Sequence, residues 1–416
     1  MAETTRARPF VAALFGALVA AAPAAAQNAA LDRVVEAARA AGFSGLVLVG
    51  DTSTVLYERA VGTSDRESGR ALAPGDPWRW ASVSKQVTSV LVMQQLDAGR
   101  LSLDATVADV LPGFRGPTAR QITVRQLLQH TSGLPNPTDT PGADDIPGFY
   151  RTPVRRGSVD GAAAAGYCSG PAKTPPGARF EYNNCDYLVL GAILERVAGM
   201  PYAALLERRI ARPLGLRTLR VRRSGDRPER VAGYLESGAR DTALDLGTYS
   251  ASGGLYGTPR ELLAFDQALL RGTLLSPASR EQLWAGDPKL GYAALAVWSF
   301  PARLAGCAQP VQLVERRGHI GGIQVRKAHP RPSQCRPLPR RHAGLTETQV
   351  GVSFYSSNAP GNAFEVGLGT WRSPVAHLNG VQGVAGSNPA VPTGCKRRPD
   401  ISLRCRAFAM SSTPVR

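Results

Sequence analysis

The chain has 416 residues, 43% apolar and 19% charged, a balance that excludes a disordered protein and leaves room for one large or two modest domains. Its formal net charge of +17 gathers at the end, where residues 326–416 carry thirteen basic and three acidic groups. No recognition motif accompanies that charge, so nothing supports a dedicated nucleic-acid site.

In chain order, Arg6 and Arg8 precede the apolar run 10–22, and Ala24-Ala25-Ala26 offers a cleavage site before Gln27. This order of charge, apolar core and small residues predicts a secretory signal over 1–26. The run is short for a bilayer span, and no later stretch is transmembrane in character. The mature chain is therefore expected to be periplasmic or secreted. Leu31, Val34, Val35 and Ala38 recur at helical spacing, with Gly42 as the stop. Residues 45–49 and 55–61 read as a hairpin through Asp51-Thr52-Ser53. Helices follow over 82–96, 187–197, 202–214 and 260–270, separated by an irregular Gly- and Pro-rich stretch at 135–176. Residues 311–325 form two strand-like halves around 318–322. Beyond Val325 the apolar period stops, except for one candidate strand at 350–355. Strands and helices in this order predict an α+β fold, with helices covering a sheet.

Six cysteines stand at 168, 185, 307, 335, 395 and 405, with no C-x-x-C pair, so zinc and thioredoxin-type chemistry are not expected. Export permits disulfides. Cys168 and Cys185 are one candidate pair, which the sequence leaves open. There is no H-E-x-x-H, P-loop or dinucleotide fingerprint, so neither metal nor cofactor is expected. Gly166-Tyr167-Cys168-Ser169-Gly170 has the spacing of a nucleophile elbow but lacks the strand before it and the helix after it. His130 has no spaced metal partners and reads as a loop-capping residue.

The strongest chemical signal is Ser82-Val83-Ser84-Lys85. Of the 49 basic residues only Lys85, Lys173, Lys289, Lys327 and Lys396 are lysine. Arginine cannot give up its proton in a protein, whereas a desolvated lysine becomes a neutral base. A serine and a lysine three residues apart at a helix start share one face, and free first-turn N–H groups point toward the serine. The bland reading is a chance pair on a helix surface; the apolar flank argues against it. Tyr182-Asn183-Asn184 enters a helix, where Tyr182 can relay protons and Asn184 can orient a carbonyl; taken alone the triplet reads as an N-cap. Gly318-His319-Ile320-Gly321-Gly322 lets a strand approach a ligand closely, and its Gly322 N–H is a candidate oxyanion donor opposite that of Ser82. In isolation it reads as a Gly-rich hairpin with a surface histidine.

Together, Ser82-x-x-Lys85, Tyr182-x-Asn184 and His319-x-Gly321 resemble the serine β-lactamase-related family of class C β-lactamases, D-Ala-D-Ala carboxypeptidases, D-aminopeptidases and β-lactamase-fold esterases. The framing segments Phe43-Ser44-Gly45, Leu101-Ser102-Leu103-Asp104, His130-Thr131-Ser132-Gly133-Leu134, Pro213-Leu214-Gly215-Leu216 and Gly253-Gly254-Leu255 match as well. The resemblance implies a transpeptidase-like antiparallel sheet flanked by helices, beside an all-helical second domain, with the site in the cleft between them. Ser82 would be the nucleophile and Lys85 and Tyr182 the acid–base pair. Asn184 and His319 would bind substrate, His319 standing where class C enzymes have lysine, and Gly321 and Gly322 would shape the oxyanion hole with the Ser82 N–H. The family also closes its sheet with C-terminal strands and a helix, which the sequence after Val325 lacks in recognisable form. The expected organisation is a signal over 1–26, a hydrolase domain over 27–360 with a helical insertion at about 90–250, and an atypical, disordered basic tail over 361–416. The implied function is an exported serine hydrolase that forms an acyl-enzyme on Ser82 with an ester, an amide (a D-amino-acid peptide) or a β-lactam, its substrate being a small molecule or peptidoglycan-derived. An inactive cell-wall-binding relative is the alternative.

Overall fold

A computed structural model describes residues 28–356 apart from 30, 144–145, 153–157, 228, 236, 304–308 and 332–348. The expected signal and tail lie outside the described residues. The first predicted helix forms over 31–40 (α1). It is followed by β1 (Gly45–Asp51) and β2 (Val55–Val61), the predicted hairpin. Four later strands complete the main sheet: β3 (Trp298–Ala302), β4 (Val311–Ile320), β5 (Ile323–Pro330) and β6 (Gln349–Ser356). The order is β3-β4-β5-β6-β1-β2, antiparallel throughout, so β6 joins the N-terminal hairpin to the C-terminal one.

Strand β1 shows how the layers form. Successive side chains point to opposite faces. Leu46 and Leu48 enter the main core, while Val47 and Val49 pack with Val35 of α1, Phe43, Tyr57 and Val61. Helices therefore cover both faces of the sheet. Burying Val35 is worth roughly 2 kcal/mol, and a charge there would detach α1.

Behind the sheet lie α2 (Ser84–Asp97), α3 (Val124–Leu128), α4 (Asn184–Ala198) and α5 (Pro259–Arg271). Helix α2 is buried on all sides from Ser84 to Gln95, which is why it runs through the core and not over its surface. Helix α5 is set by its ends: Thr258 and Glu261 form a capping box, Pro259 opens it, and Gly272 closes it at φ 77°. It presses on β1 so closely that a Cβ on Gly50 would lie 2.7 Å from Leu263 Cδ2.

Two expectations are revised. Strand β5 does not fade at Val325 but runs to Pro330, with Ile323, Val325, Lys327 and His329 alternating inward. The last two are polar, and Lys327 is satisfied by a buried ion pair with Asp266 of α5; charge at core positions hid the period. Gly318 lies within β4, and the turn between β4 and β5 is Gly321-Gly322, with Gly321 at φ 55°. The open question of Cys168 and Cys185 is answered: they are bridged. Among the described residues, no single helix is long and apolar enough to cross a membrane, and no cluster of His, Cys, Asp and Glu could hold a metal ion.

Candidate active site

Ser82 sits in a single 3-10 turn, Ala81–Val83, immediately before α2. Trp80 and Val83 are fully buried on either side and anchor the turn. Ala81 adopts φ 47°, a conformation that L-residues avoid and that only surrounding packing maintains. One turn on, Lys85 is fully buried with its Nζ 3.4 Å from Ser82 Oγ. The same Nζ donates to Asn184 Oδ1 at 2.6 Å and to the Ser252 carbonyl at 2.7 Å. With these acceptors and the Tyr182 hydroxyl around it, an uncharged Lys85 amine lies within reach of the Ser82 hydrogen.

Tyr182 also reaches Ser82 Oγ, its hydroxyl 2.6 Å away. Lys85 Nζ lies 4.8 Å from the centre of the same ring. Burial depresses the Lys85 ammonium to about 8, helped by the charge of Arg316, while Tyr182 acts the other way. Burial alone would raise the Tyr182 phenol, but the charges of Lys85 and Arg316 outweigh it and bring it down to about 8 as well. Such groups titrate as a pair: near neutrality one proton is readily moved between them and the serine.

The structure thus brings Ser82, Lys85, Tyr182 and Asn184 together. Asn184 is committed more fully than expected. Its Oδ1 holds Lys85, and its amide nitrogen donates to the Tyr150 hydroxyl at 2.6 Å. Tyr150 stacks on Tyr249 at 4.0 Å, making an aromatic wall with Ala81 and Ile320.

The β4 residues fall differently. Arg316, 2% exposed, donates through Nε to the Ser82 carbonyl at 2.8 Å and through Nη2 to the Tyr182 oxygen at 3.2 Å. Its guanidinium carbon lies 5.3 Å from the Trp298 ring centre. Gly318 abuts the nucleophile's turn: a Cβ there would stand 2.7 Å from the Trp80 carbonyl and 2.9 Å from Ser82 N. Ile320 packs on Ala81. Residues 316, 318 and 320 therefore face the site. By strand alternation His319 shares the opposite face with Glu315 and Arg317, and Glu315 pairs with both Arg317 and Arg326. His319 is half-buried opposite Gln324. The cationic place expected for His319 is taken by Arg316.

Gly322 also departs from expectation. Its N–H donates to Asp241 Oδ2 at 3.0 Å, and Asp241 is in turn held by Arg79 at 2.7 Å. A Cβ on Gly321 would meet the same carboxylate at 2.1 Å. The Gly321-Gly322 turn is thus bound to a buried Arg79–Asp241 pair, and the Gly322 N–H is not turned toward Ser82.

Sequence reasoning missed Arg316, Tyr150 and Ser252. A signal existed for the first: Arg316-x-Gly318 has the same basic-x-Gly spacing as His319-x-Gly321, three residues earlier on the same strand. Ser252 directly precedes the framing Gly253-Gly254. Tyr150 lies in the irregular stretch, where no period points to it.

Comparison with known proteins gives the family. Residues 31–295 match the beta-lactamase family model. Esterase EstB of Burkholderia gladioli is 29% identical over 319 residues, 66% of this chain and 78% of the esterase. Penicillin-binding protein 4 of Amycolatopsis lactamdurans is 37% identical over 166 residues, 39% of this chain and 40% of that protein. Among solved structures, a penicillin-binding protein from Bacillus halodurans superposes with TM-score 0.64 at 22% identity, covering 81% of this chain and 96% of that one, which bears on the fold alone. The chain belongs to the beta-lactamase family, and with it to the serine hydrolases.

Proposed function

We propose, with that membership as the premise, that this chain is an exported hydrolase that forms an acyl-enzyme on Ser82. Its substrate carries an ester or amide carbonyl with an anionic group nearby, as in a D-amino-acid peptide or a β-lactam. The observation that carries the reading is the convergence of Lys85 and Tyr182 on Ser82 Oγ, at 3.4 and 2.6 Å. The Ser82 proton passes to the Lys85–Tyr182 pair as the oxygen attacks the carbonyl carbon. The developing oxyanion is stabilised by the Ser82 N–H, and the leaving group takes the proton back. Water then attacks the acyl-enzyme by the same route in reverse.

Arg316 supports the choice of an anionic substrate. Among the described residues it makes no ion pair, and a buried cation without a counter-charge favours an anion close by. The bridged Cys168 and Cys185 support export, since disulfides persist in oxidising compartments. An inactive wall-binding relative would not require a depressed lysine held against the serine. Exposure to a fluorophosphonate probe followed by peptide mass spectrometry tests the reading. Adduct on the Ser82 peptide, lost in Ser82→Ala, is expected; labelling elsewhere or none would overturn it.

A further inference from the structure

Beneath Tyr182 lies a buried polar unit that the reaction above does not use. His130, Ser132 and Asp186 are 3%, 1% and 0% exposed. His130 Nδ1 stands 2.9 Å from Asp186 Oδ2, and the backbone N–H of Asn183 points at the same nitrogen from 3.3 Å. An N–H aimed at Nδ1 favours a ring nitrogen without its own hydrogen there, and the ring hydrogen is then on Nε2, which is buried without a partner among the described residues. In that tautomer the hydrogen bridging Nδ1 and Asp186 resides on the carboxyl group. Were it absent, two lone pairs would face each other at 2.9 Å in a buried site. The other carboxyl oxygen accepts from the Ser132 hydroxyl, a contact that favours the ionised form and that burial outweighs.

The same unit grips the chain on both sides of Tyr182. The His130 carbonyl accepts from Glu181 N at 2.7 Å, and its ring nitrogen accepts from Asn183 N. The ring itself packs on that of Tyr182 with centres 4.6 Å apart, and on Tyr187 at 5.1 Å. Asn136, six residues further on, donates to the Tyr182 carbonyl at 3.2 Å. His130 holds φ 57°, a conformation kept only where the surroundings impose it.

We propose that Asp186 is held as a neutral acid donating to His130, and that this pair is the positioning unit that keeps the Tyr182 phenol against Ser82. The charged groups around it agree: Lys85 and Arg316 both disfavour an imidazolium, Glu181 disfavours a second carboxylate, and Lys85 alone favours one. Burial, the largest cause, pushes Asp186 up and His130 down.

The activity part of this inference rests on the hydrolase reading, so two readouts are needed. Infrared difference spectra of the full chain at neutral pH, native against Asp186→Asn, locate the proton without requiring turnover. A carboxylic C=O band present in the native chain and lost in the variant is expected; its absence from the native chain would overturn the neutral acid. Kinetics on an activated ester test the positioning. Asp186→Asn supplies an amide donor of the same shape and is expected to keep kcat within about threefold. His130→Ala is expected to lower kcat on the order of 100-fold with little change in KM, because the phenol is displaced and substrate contacts are not. His130→Asn, with an amide oxygen for Asn183, is expected to recover most of that loss. A failure of Asp186→Asn as deep as that of Asp186→Ala, or an unchanged kcat in His130→Ala, would overturn the proposal.

Discussion

On the helical side of the cleft, a residue's place follows from spacing; on the strand side, it follows from parity. Ser82 and Lys85 are three residues apart at a helix entrance, and Tyr182 and Asn184 flank the start of α4. Within each pair the relation is local, and all four lie inside the stretch 31–295 that matches the family model. Strand β4 lies beyond that stretch, and two consecutive basic-x-Gly triplets, 316–318 and 319–321, run along it and into its turn. A shift of three residues is odd, so it exchanges the two faces of the strand. The same composition can therefore present Arg316 or His319 to the nucleophile, and only the pairing of β4 with β3 and β5, together with the close approach of Gly318 to Trp80 and Ser82, decides which.

The helical side is open to a direct challenge. Lys85→Met keeps the apolar stem and removes the base, and is expected to lower kcat by about 1,000-fold, within the range of general acid–base contributions. A single-turnover assay on an activated ester reads it, and a loss below tenfold would remove Lys85 from the proton path.

The strand side is sharpened by its least conventional contact. If β5 turns Lys327 inward as described, Asp266→Ala leaves a buried ammonium unpaired and costs about 3–5 kcal/mol in urea denaturation. A cost near zero would place Lys327 in solvent and put the register of β5, and with it that of β4, in error. A smaller effect is expected back on the helical side. Opening the bridge between Cys168 and Cys185, 17 residues apart, by a double Ser substitution is expected to cost about 3 kcal/mol through the freed unfolded chain. Since Cys185 follows Asn184, kcat should fall with it; unaltered melting would mean that the bridge does not form.

These contrasts explain what could be read from the sequence. Helix α1, the β1–β2 hairpin, α2, α4 and α5 were legible because each carries enough apolar residues to be read on its own, and Gly42, Gly99 and Gly199 mark the ends of α1, α2 and α4. Strand β5 was not, because Lys327 and His329 occupy inward positions and their solution is an acid on another element. Likewise S-x-x-K gave its chemistry at once, whereas Arg316 required knowing which strand edge meets Ala81–Val83. Tyr150 and the His130–Asp186 pair depend on loops whose contacts are set only once the core has closed. The assignment of the oxyanion role to Gly322 failed for a related reason: the turn is claimed by Asp241, 81 residues away in the chain.

The central claim, that β4 presents Arg316 and not His319 to the nucleophile, is tested most directly by pH–rate profiles of Arg316→Met and His319→Ala beside the native chain. Arg316 lowers the proton affinity of both Lys85 and Tyr182, so the rise in kcat/KM with pH, near 8 in the native chain, should move to higher pH in Arg316→Met. The maximum should fall on the order of 100-fold, while His319→Ala keeps the native profile. A displaced and depressed profile for His319→Ala, with Arg316→Met left as native, would contradict the account.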